Sequence, residues 1–418
     1  MAIRPSRRDE FEIAVVCALA LEYNAVELAF DEFWDDDGDT YGRAQNDPNT
    51  YATGRIGQYN VVLALLPNMG KVSAASAAAS LRSSYTGLRL VVLTGICGGV
   101  PNAGTDDEML LGDVVISKTI VQYDLGRQYL GQFVRRDTLE DNPGRHSRDI
   151  RSLLATFETS RGRERLQLGA LQVVAEMQEK AAKKRRRARY RRPPASEDRL
   201  FDTGYLHKHR DRSDCGCGVQ ACEAARAASC DELRCDEARL VPRERLDEVQ
   251  DPASGEDETF EIFVGSIGSA DTVMKSGADR DRIAREHGVI ALEMEGAGVW
   301  DEACIVVKGV CDYADSHKNK KWQAYAALTA ASVMKALLAR YIRTDRPADN
   351  NDNGDNNGNG SNGGDDGDDG RGSGGSNKWT GTPSGGGSGP VFHGPISGKY
   401  VIAGLHTTGG TTNMNFGT

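Results

Sequence analysis

The sequence predicts an α/β fold of three layers, with helices on both faces of a central sheet. Short apolar runs bounded by charged residues, such as Phe11–Leu19 and Leu88–Leu93, are typical of buried strands. Segments with helical spacing of their apolar residues, such as Leu21–Phe33 and Trp322–Tyr341, come between or after these runs. Strands that alternate with helices indicate an α/β sheet.

The predicted elements form two groups separated by a polar stretch. The first group comprises strand Phe11–Leu19, helix Leu21–Phe33, hairpin strands Tyr51–Ile56 and Tyr59–Leu66, helix Val72–Leu81, and strands Leu88–Leu93 and Asp113–Tyr123. The second group comprises strand Thr259–Ile267, helix Asp279–His287, strand Val289–Leu292, helix Glu295–Ala303, strand Ile305–Val310 and helix Trp322–Tyr341. We therefore predict one domain over residues 9–343, interrupted by a polar insertion at about 130–258 that contains a helix at Gln167–Ala182.

Two segments of different character are predicted after the domain. Residues 347–389 are almost wholly Asn, Asp, Gly and Ser, which cannot bury enough apolar surface to offset the loss of chain entropy. A disordered linker is therefore predicted over 344–389. Residues 390–418 regain β-forming residues and carry little charge. They are either a frayed terminus or a short cross-β assembly motif.

Composition argues against several classes of protein. No run approaches the roughly 20 consecutive apolar residues of a membrane span, so no membrane partner is predicted. Nine cysteines, several of them in apolar runs, favour a reducing, cytoplasmic compartment. The net charge is −10, yet a strongly basic run occupies 183–192. Because aromatic interleaving in that run is limited to Tyr190, nucleic-acid binding is not predicted.

Carboxylates recur where the predicted strands end. Glu22 follows the first strand, Glu293 and Glu295 follow the strand at Val289–Leu292, and Asp312 follows the last strand. Any one of these could simply cap a helix. Open α/β sheets place their ligands at the carboxyl ends of strands, however, so recurrence at one edge favours a binding site.

The motifs at these strand ends resemble the nucleoside phosphorylase/nucleosidase family. The matching stretches are Cys17-Ala18-Leu19-Ala20-Leu21-Glu22, Asn68-Met69-Gly70-Lys71-Val72-Ser73-Ala74, Thr94-Gly95-Ile96-Cys97-Gly98-Gly99, Ser269-Ala270-Asp271, Glu293-Met294-Glu295-Gly296-Ala297 and Cys311-Asp312-Tyr313-Ala314-Asp315. They lie in the family's order over residues 11–122 and 259–343. The resemblance implies a mixed central sheet with flanking helices. Residues 122–129 and 316–320 also look like the fungal branch, in which this domain accompanies innate-immune receptors.

The resemblance implies a role for each matching residue. Asp312 would protonate N7 of a purine, Glu22 would deprotonate the attacking water, and Glu295 would hold the ribose hydroxyls. Further substrate contacts are expected from Met294, Glu293, Thr94, Gly95, Gly98, Val273, Met274 and Arg127. Glycosidic cleavage commonly uses one carboxylic acid and one carboxylate. Because Asp312 must be protonated near neutral pH, we expect it in a partly buried, apolar or like-charge setting.

The nucleophile is predicted to be water. A phosphorylase must bind phosphate, whereas the first loop here carries Glu22, which would repel that anion. The specific substrate prediction is ATP, cleaved to adenine and ribose 5′-triphosphate, with the phosphates held by the basic run, by Arg127 or by the Lys318/Lys320/Lys321 group. A phosphate-dependent purine nucleoside phosphorylase and a catalytically silent nucleotide-binding module are the alternatives.

Two further predictions concern partners and metals. The last residues look like amyloid signalling motifs of fungal immune effectors, which implies templating by a receptor motif, and the family relationship implies a homo-oligomer. Cysteines and histidines cluster in the insertion: His207, His209, Cys215, Cys217, Cys222, Cys230 and Cys235. Zinc binding is an alternative for this cluster, but Cys-x-Cys followed by irregular gaps is not a standard spacing, so no metal ligand or cofactor is predicted.

Overall fold

The computed structural model describes residues 4–38, 41–102, 108–138, 140–141, 143–185, 187–211, 215–218, 220–250, 260–300 and 303–341. The predicted linker at 344–389 and the predicted assembly motif at 390–418 lie outside the described residues. Within the described part of the chain, no helix is both long enough and apolar enough to cross a bilayer.

Strands and helices alternate along most of the described chain. The strands are β1 (Ile13–Cys17), β2 (Glu32–Phe33), β3 (Tyr51–Ile56), β4 (Tyr59–Leu65), β5 (Leu90–Gly99), β6 (Val114–Gln122), β7 (Gly126–Tyr129), β8 (Gln132–Arg135), β9 (Ile262–Ser269), β10 (Val289–Glu293) and β11 (Cys304–Asp312). The helices are α1 (Ala20–Ala29), α2 (Lys71–Ser84), α3 (Arg148–Phe157), α4 (Ser160–Lys183), α5 (Glu223–Ala227), α6 (Glu244–Gln250), α7 (Gly277–His287), α8 (Gly296–Val299) and α9 (Gln323–Leu338).

Nine strands form one mixed sheet in the order β10-β9-β6-β11-β5-β1-β4-β3-β2. β1, β5 and β11 run parallel to one another, so their carboxyl ends lie at one edge. β10 pairs with β9 and also, antiparallel, with β5 through Leu292 and Gly98. This second pairing closes β5, β11, β6, β9 and β10 into a ring. The closure brings the end of β10 to the end of β5, although these strands are far apart in the sequence.

The core lies between the sheet and helix α9. Side chains from Tyr325 to Leu338 are buried along most of this helix, which packs against β11, β5, α1 and α4. The backbone of β11 comes so close to α9 that a Cβ atom at Gly309 would lie 2.0 Å from the Ala326 carbonyl oxygen. Only glycine avoids such an overlap, and it allows β11 to pack closely on α9 three residues before Asp312.

The structure confirms the predicted α/β class and mixed sheet, but it moves several boundaries. The strand predicted to end at Leu93 continues to Gly99 as β5, because β11 pairs with Thr94–Gly98 and β10 pairs with Gly98 and Gly99. The predicted helix Glu295–Ala303 is only the short α8.

Part of the predicted insertion belongs to the core. α4 begins at the N-cap Thr159, whose hydroxyl accepts the Gly162 N–H, and it buries Leu166, Ala170, Val173, Val174, Met177 and Ala181. Its apolar residues lie on one face that packs on α9. Charged residues separate the apolar ones in the first turns, so the sequence pattern predicted a later start, at Gln167, for this helix.

Candidate active site

The predicted carboxylates that lie at or just after the ends of β1, β10 and β11 line one cavity of about 320 Å³. Glu22, Glu293, Glu295 and Asp312 form its buried side, each no more than 5% exposed. Gly98 also lines it, and Met294, Val273 and Met274 contribute apolar surface. The structure therefore brings together predicted site residues from both halves of the domain. Parallel strand ends and the β10–β5 closure are the cause.

Backbone amides hold the Glu22 carboxylate in place. One oxygen, Oε2, accepts the N–H groups of Ala18 and Leu19, both at 2.9 Å, and Oε1 accepts the N–H of Ile96 at 2.8 Å. Burial raises the pKa of Glu22, while the charge of Lys308 and the Ile96 hydrogen bond oppose that shift. A carboxylate with a raised pKa is a better proton acceptor near neutral pH, provided that it stays ionised.

A buried lysine compensates the cluster of carboxylates. Lys308, on β11, is 1% exposed and places its Nζ 3.2 Å from Glu295 Oε2 and 3.8 Å from Glu293 Oε2. Burial would lower the pKa of Lys308, but Glu295, Glu22 and Glu293 together raise it well above its usual value. Lys308 therefore stays charged. Because one cation cannot neutralise three carboxylates, the centre of the site remains acidic.

The carboxylates of Glu293 and Glu295 make different contacts in the structure. The Glu293 carboxylate accepts the N–H groups of Glu295 and Gly296 and so caps the start of α8. Burial also raises the pKa of Glu293. Glu295 Oε1 accepts the Gly70 N–H at 3.2 Å, and Oε2 contacts Lys308. Glu295 thus keeps more hydrogen-bonding capacity for a ligand than Glu293 does.

Asp312 sits at the end of β11 with both oxygens engaged. Oδ1 accepts the Ala314 N–H at 2.9 Å, Oδ2 accepts from the Cys311 thiol at 3.2 Å, and Lys318 Nζ lies 2.9 Å from Oδ2. Burial by itself would lower the pKa of Lys318, but the negative charge of Asp312 raises the pKa of Lys318. The expected apolar or like-charge setting of Asp312 is therefore wrong, because Lys318 reaches back to it from the following loop.

Glycines allow the strands to approach these carboxylates. A Cβ atom at Gly95 would lie 2.1 Å from Glu22 Oε1, and one at Gly98 would lie 3.1 Å from Asp312 Oδ1 and 2.9 Å from the Ala314 side chain. Thr94 is buried, and its hydroxyl has no hydrogen-bond partner among the described residues. Thr94 and Gly95 are not among the residues that line the cavity, so their predicted substrate contacts stay predictions.

The cavity changes character toward solvent. Lys275 and Lys320 line it and are exposed, in contrast to the buried carboxylates at its inner end. Val273, 46% exposed, lies at the same outer side. A ligand with an apolar part that develops positive charge and with an anionic end would match this cavity. The inner end of the cavity is acidic, and its opening to solvent is basic.

Arg127 and the basic run lie elsewhere. Arg127 is exposed on β7, which pairs only with β8 in a separate two-stranded sheet of the described chain, and it is not among the residues that line the cavity. In the run, Lys183 pairs with Glu179 and Arg192 lies over the Trp322 ring. Neither contacts the carboxylate cavity.

Lys308 is the principal site residue that sequence reasoning missed. A signal was present, because a lysine interrupts the otherwise apolar strand Cys304–Asp312. A charge in a fully buried strand is costly unless it is paired, and the pairing partners had to be carboxylates.

The chain is similar in sequence to proteins of known family. Residues 12–191 match the profile of the Phosphorylase superfamily. Over 76 residues, 18% of this chain and 27% of the relative, the chain is 37% identical to the 5′-methylthioadenosine/S-adenosylhomocysteine nucleosidase of Mycobacterium bovis. The profile match includes Glu22 but not Glu293, Glu295 or Asp312.

A longer relative and one solved structure complete the comparison. Over 343 residues the chain is 32% identical to a nucleotide-binding leucine-rich repeat (NLR)-like protein of Hyaloscypha variabilis. That match covers 80% of this chain, which spans about 30% of the relative's length. The futalosine hydrolase of Helicobacter pylori is similar with a TM-score of 0.44 and 15% identity, over 79% of this chain and 98% of that one.

Proposed function

We propose that the domain hydrolyses the N-glycosidic bond of a purine nucleoside or nucleotide. The observation that carries this proposal is the convergence of Glu22, Glu295 and Asp312 on one cavity. The reaction passes through a ribosyl group with oxocarbenium character. An acidic, water-poor site stabilises such a developing cation.

Each carboxylate is given one task in this proposal. Asp312 donates a proton to the purine, and Lys318 stabilises the aspartate that remains. Glu295 accepts hydrogen bonds from the ribose hydroxyls, since its oxygens face the cavity beside Lys308. Glu22 accepts a proton from the attacking water, which adds hydroxide to the anomeric carbon as the base departs.

Water, rather than phosphate, suits the surroundings of Glu22. A phosphate needs hydrogen-bond donors, but the amides of Ala18, Leu19 and Ile96 already donate to Glu22. A phosphate would also meet the repulsion of Glu22, Glu293 and Glu295. The geometry therefore favours hydrolysis over phosphorolysis.

The proposed substrate is a nucleotide, specifically ATP. Lys275 and Lys320 at the mouth, with Lys318 deeper in, could meet 5′-phosphates while the base and sugar occupy the acidic end. The products would be adenine and ribose 5′-triphosphate. Within the described residues, the position of Arg127 on its own hairpin favours the lysines over Arg127 for this task.

The test is purine release from ATP, adenosine and methylthioadenosine, with and without phosphate. We expect phosphate-independent adenine release, with ATP the best substrate. Sugar phosphate that appears only with added phosphate would establish the phosphorylase instead. Absence of base release from every purine would leave the silent nucleotide-binding module.

A pair of variants separates the phosphate contacts. The double variant Lys275→Ala/Lys320→Ala should lower kcat/KM for ATP by roughly ten-fold or more, since hydrogen bonds to charged groups are lost, and leave adenosine almost unchanged. Lys118→Ala, which removes an exposed lysine on β6, is the matched control. A selective loss of ATP cleavage with Arg127→Ala, and none with the lysine pair, would contradict this assignment.

We also propose that the domain acts in the cytoplasm as an immune effector that is activated by assembly. The resemblance to the fungal immune branch and the identity to an NLR-like protein support this role. Residues 390–418 would stack into cross-β fibrils, templated by a receptor's motif. A peptide of 390–418 should form thioflavin-positive fibrils that seed the full chain; lack of fibrils at high concentration would reject the motif.

A homo-oligomer is proposed for the domain itself. Val72, 81% exposed, lies in the first turn of α2, three residues after Met69, which is 50% exposed and lines the cavity. A second copy of the chain would cover this apolar pair. Light scattering of the domain should give a multiple of the monomer mass, and Val72→Glu should reduce it; a monomeric wild type would contradict the proposal.

A further inference from the structure

Residues 207–235, named here the Cys/His segment, gather soft ligands away from the carboxylate cavity. Two groups of side chains place their ligand atoms within 4.8 Å of one another: His209 with Cys215, Cys217 and Cys222, and His207 with Cys230 and Cys235. We propose that this segment is a zinc-binding module with two sites, a closed Cys3His site and a Cys2His site that takes one further ligand from solvent.

The first group has the dimensions of a tetrahedral zinc site. His209 Nδ1 lies 3.7 Å from Cys217 Sγ and 3.5 Å from Cys222 Sγ. With Zn–S near 2.3 Å and Zn–N near 2.0–2.1 Å, two ligands at the tetrahedral angle are separated by about 3.6 Å. These two separations match those of tetrahedral zinc ligands, and the ligand atoms of all four side chains lie within 4.8 Å of one another.

Backbone N–H groups already point at two of these sulfurs. The Cys222 N–H donates to Cys217 Sγ at 3.3 Å, and the Ala225 N–H donates to Cys222 Sγ at 3.4 Å. Such bonds orient metal-bound thiolates and spread their negative charge. Three thiolates and a neutral imidazole form one of the usual ligand sets of structural zinc.

The second group shows the same spacing and a fixed imidazole. His207 Nδ1 lies 3.7 Å from Cys230 Sγ and 3.5 Å from Cys235 Sγ. Its Nε2 lies 2.9 Å from the Ala228 carbonyl oxygen. A carbonyl only accepts, so Nε2 must carry the proton, and Nδ1 presents its lone pair to the two sulfurs. A metal-bound histidine commonly has this second hydrogen bond.

The second site has three protein ligands in the described chain and faces a cavity. His207 and Cys230 line a cavity of about 290 Å³ that adjoins the carboxylate cavity, since Lys275 and Lys318 line both. Zinc sites with three protein ligands complete their tetrahedron with water. The fourth ligand would come from this cavity.

All nine cysteines are free thiols in the structure, so no disulfide competes for these ligands. Thiolate-rich tetrahedral sets select zinc among the common divalent ions, because harder ions prefer oxygen. Each thiol would lose its proton as its sulfur–zinc bond forms. Among its described residues the segment has one short helix, α5, and no strand, so two ions would cross-link a region with little regular backbone structure.

The second site also contacts the loop that follows Asp312. The backbone N–H of His207 donates to Ser316 Oγ at 3.1 Å. The His207 ring lies edge-on to the His317 ring, with 5.3 Å between the ring centres. The next residue, Lys318, pairs with Asp312. Metal at this site would therefore brace the outer wall of the carboxylate cavity, as a positioning element rather than a reactant.

Metal content of the full chain tests the proposal without reference to activity. The chain, purified without a metal-affinity column, should hold about two zinc equivalents by elemental analysis. Cys217→Ser/Cys222→Ser should lose one equivalent and Cys235→Ser the other, whereas Cys304→Ala, a core cysteine, should keep both. A metal-free chain, or zinc that persists in the combined variant, would overturn the proposal; one equivalent that is insensitive to Cys235→Ser would overturn the second site.

A measurement on the unaltered chain guards against variants that fail to fold. Replacement of zinc by Co²⁺ should produce thiolate-to-cobalt charge-transfer absorption and intense visible bands typical of tetrahedral coordination. Ready titration of the five thiols of the Cys/His segment in the native chain, with no metal released to a chromogenic chelator, would contradict the module.

Discussion

The carboxylate cavity and the Cys/His segment each hold polar side chains in fixed positions, but by different means. In the cavity, the ends of regular strands position Glu22, Glu295 and Asp312, and backbone amides and Lys308 hold the charges. The described residues of the Cys/His segment form only one short helix, α5, and its cysteine and histidine side chains gather in two groups. A sheet can therefore position isolated charges, whereas an irregular segment needs a cross-link, which we infer to be zinc. The two regions meet at Lys318.

The sharpest separation of the regions should come from Asp312→Asn. Loss of the general acid should lower kcat for base release by about 10²–10⁴-fold, while the zinc content stays at about two equivalents. Quenched-flow or coupled adenine assays and elemental analysis on one preparation check both. Glu27→Gln, on the same helix as Glu22 but outside the cavity, is a control that should keep full activity. Near-normal turnover of Asp312→Asn would remove Asp312 from the reaction.

Lys308→Met should destabilise the domain more than any loss of a surface charge. Removing the cation leaves three buried carboxyl groups uncompensated, which costs about 3–5 kcal/mol. Urea denaturation at pH 7 measures the change, and the loss should shrink at lower pH as Glu22 and Glu293 become protonated. An unchanged midpoint would mean that water reaches these carboxylates freely.

Asp315 should make the junction between the two regions sensitive to pH. Burial raises the pKa of Asp315 to about 6. Because the unfolded chain ionises this group at lower pH, its contribution is present below about pH 4 and is lost as pH rises through about 6. The difference in unfolding free energy between wild type and Asp315→Asn should change by roughly 3 kcal/mol across that window. A flat difference curve would refute the shift.

The smallest effect is expected at Lys118 on β6. Its ion pair with Glu158 is short, at 2.6 Å, but both side chains are about half exposed. Exposed pairs contribute about 0–1 kcal/mol. Lys118→Met should therefore change stability by no more than that, and it provides the baseline for Lys308→Met under identical denaturation conditions.

Sequence reasoning reached the carboxylates more readily than their partners. Glu22, Glu295 and Asp312 follow apolar strands, and strand ends can be read from apolar periodicity. Lys308 lies inside an apolar strand and was overlooked, although its charge required a buried partner. The cysteines and histidines of the Cys/His segment were evident as a cluster, but no ligands were predicted, because Cys215-x-Cys217 and Cys222 have irregular gaps and spatial pairing with His209 depends on the folded chain.

The sequence by itself determined the alternation of strands and helices and the carboxylates at strand ends, because the burial of each segment is written in its own pattern of apolar residues. Only the tertiary structure shows that β10 pairs with β5 and that Lys318 pairs with Asp312. It also shows that His207 and His209 lie beside different cysteines. These are contacts between residues distant in the chain, and local patterns do not specify which of several compatible partners will meet. Chain closure and packing against α9 make that choice.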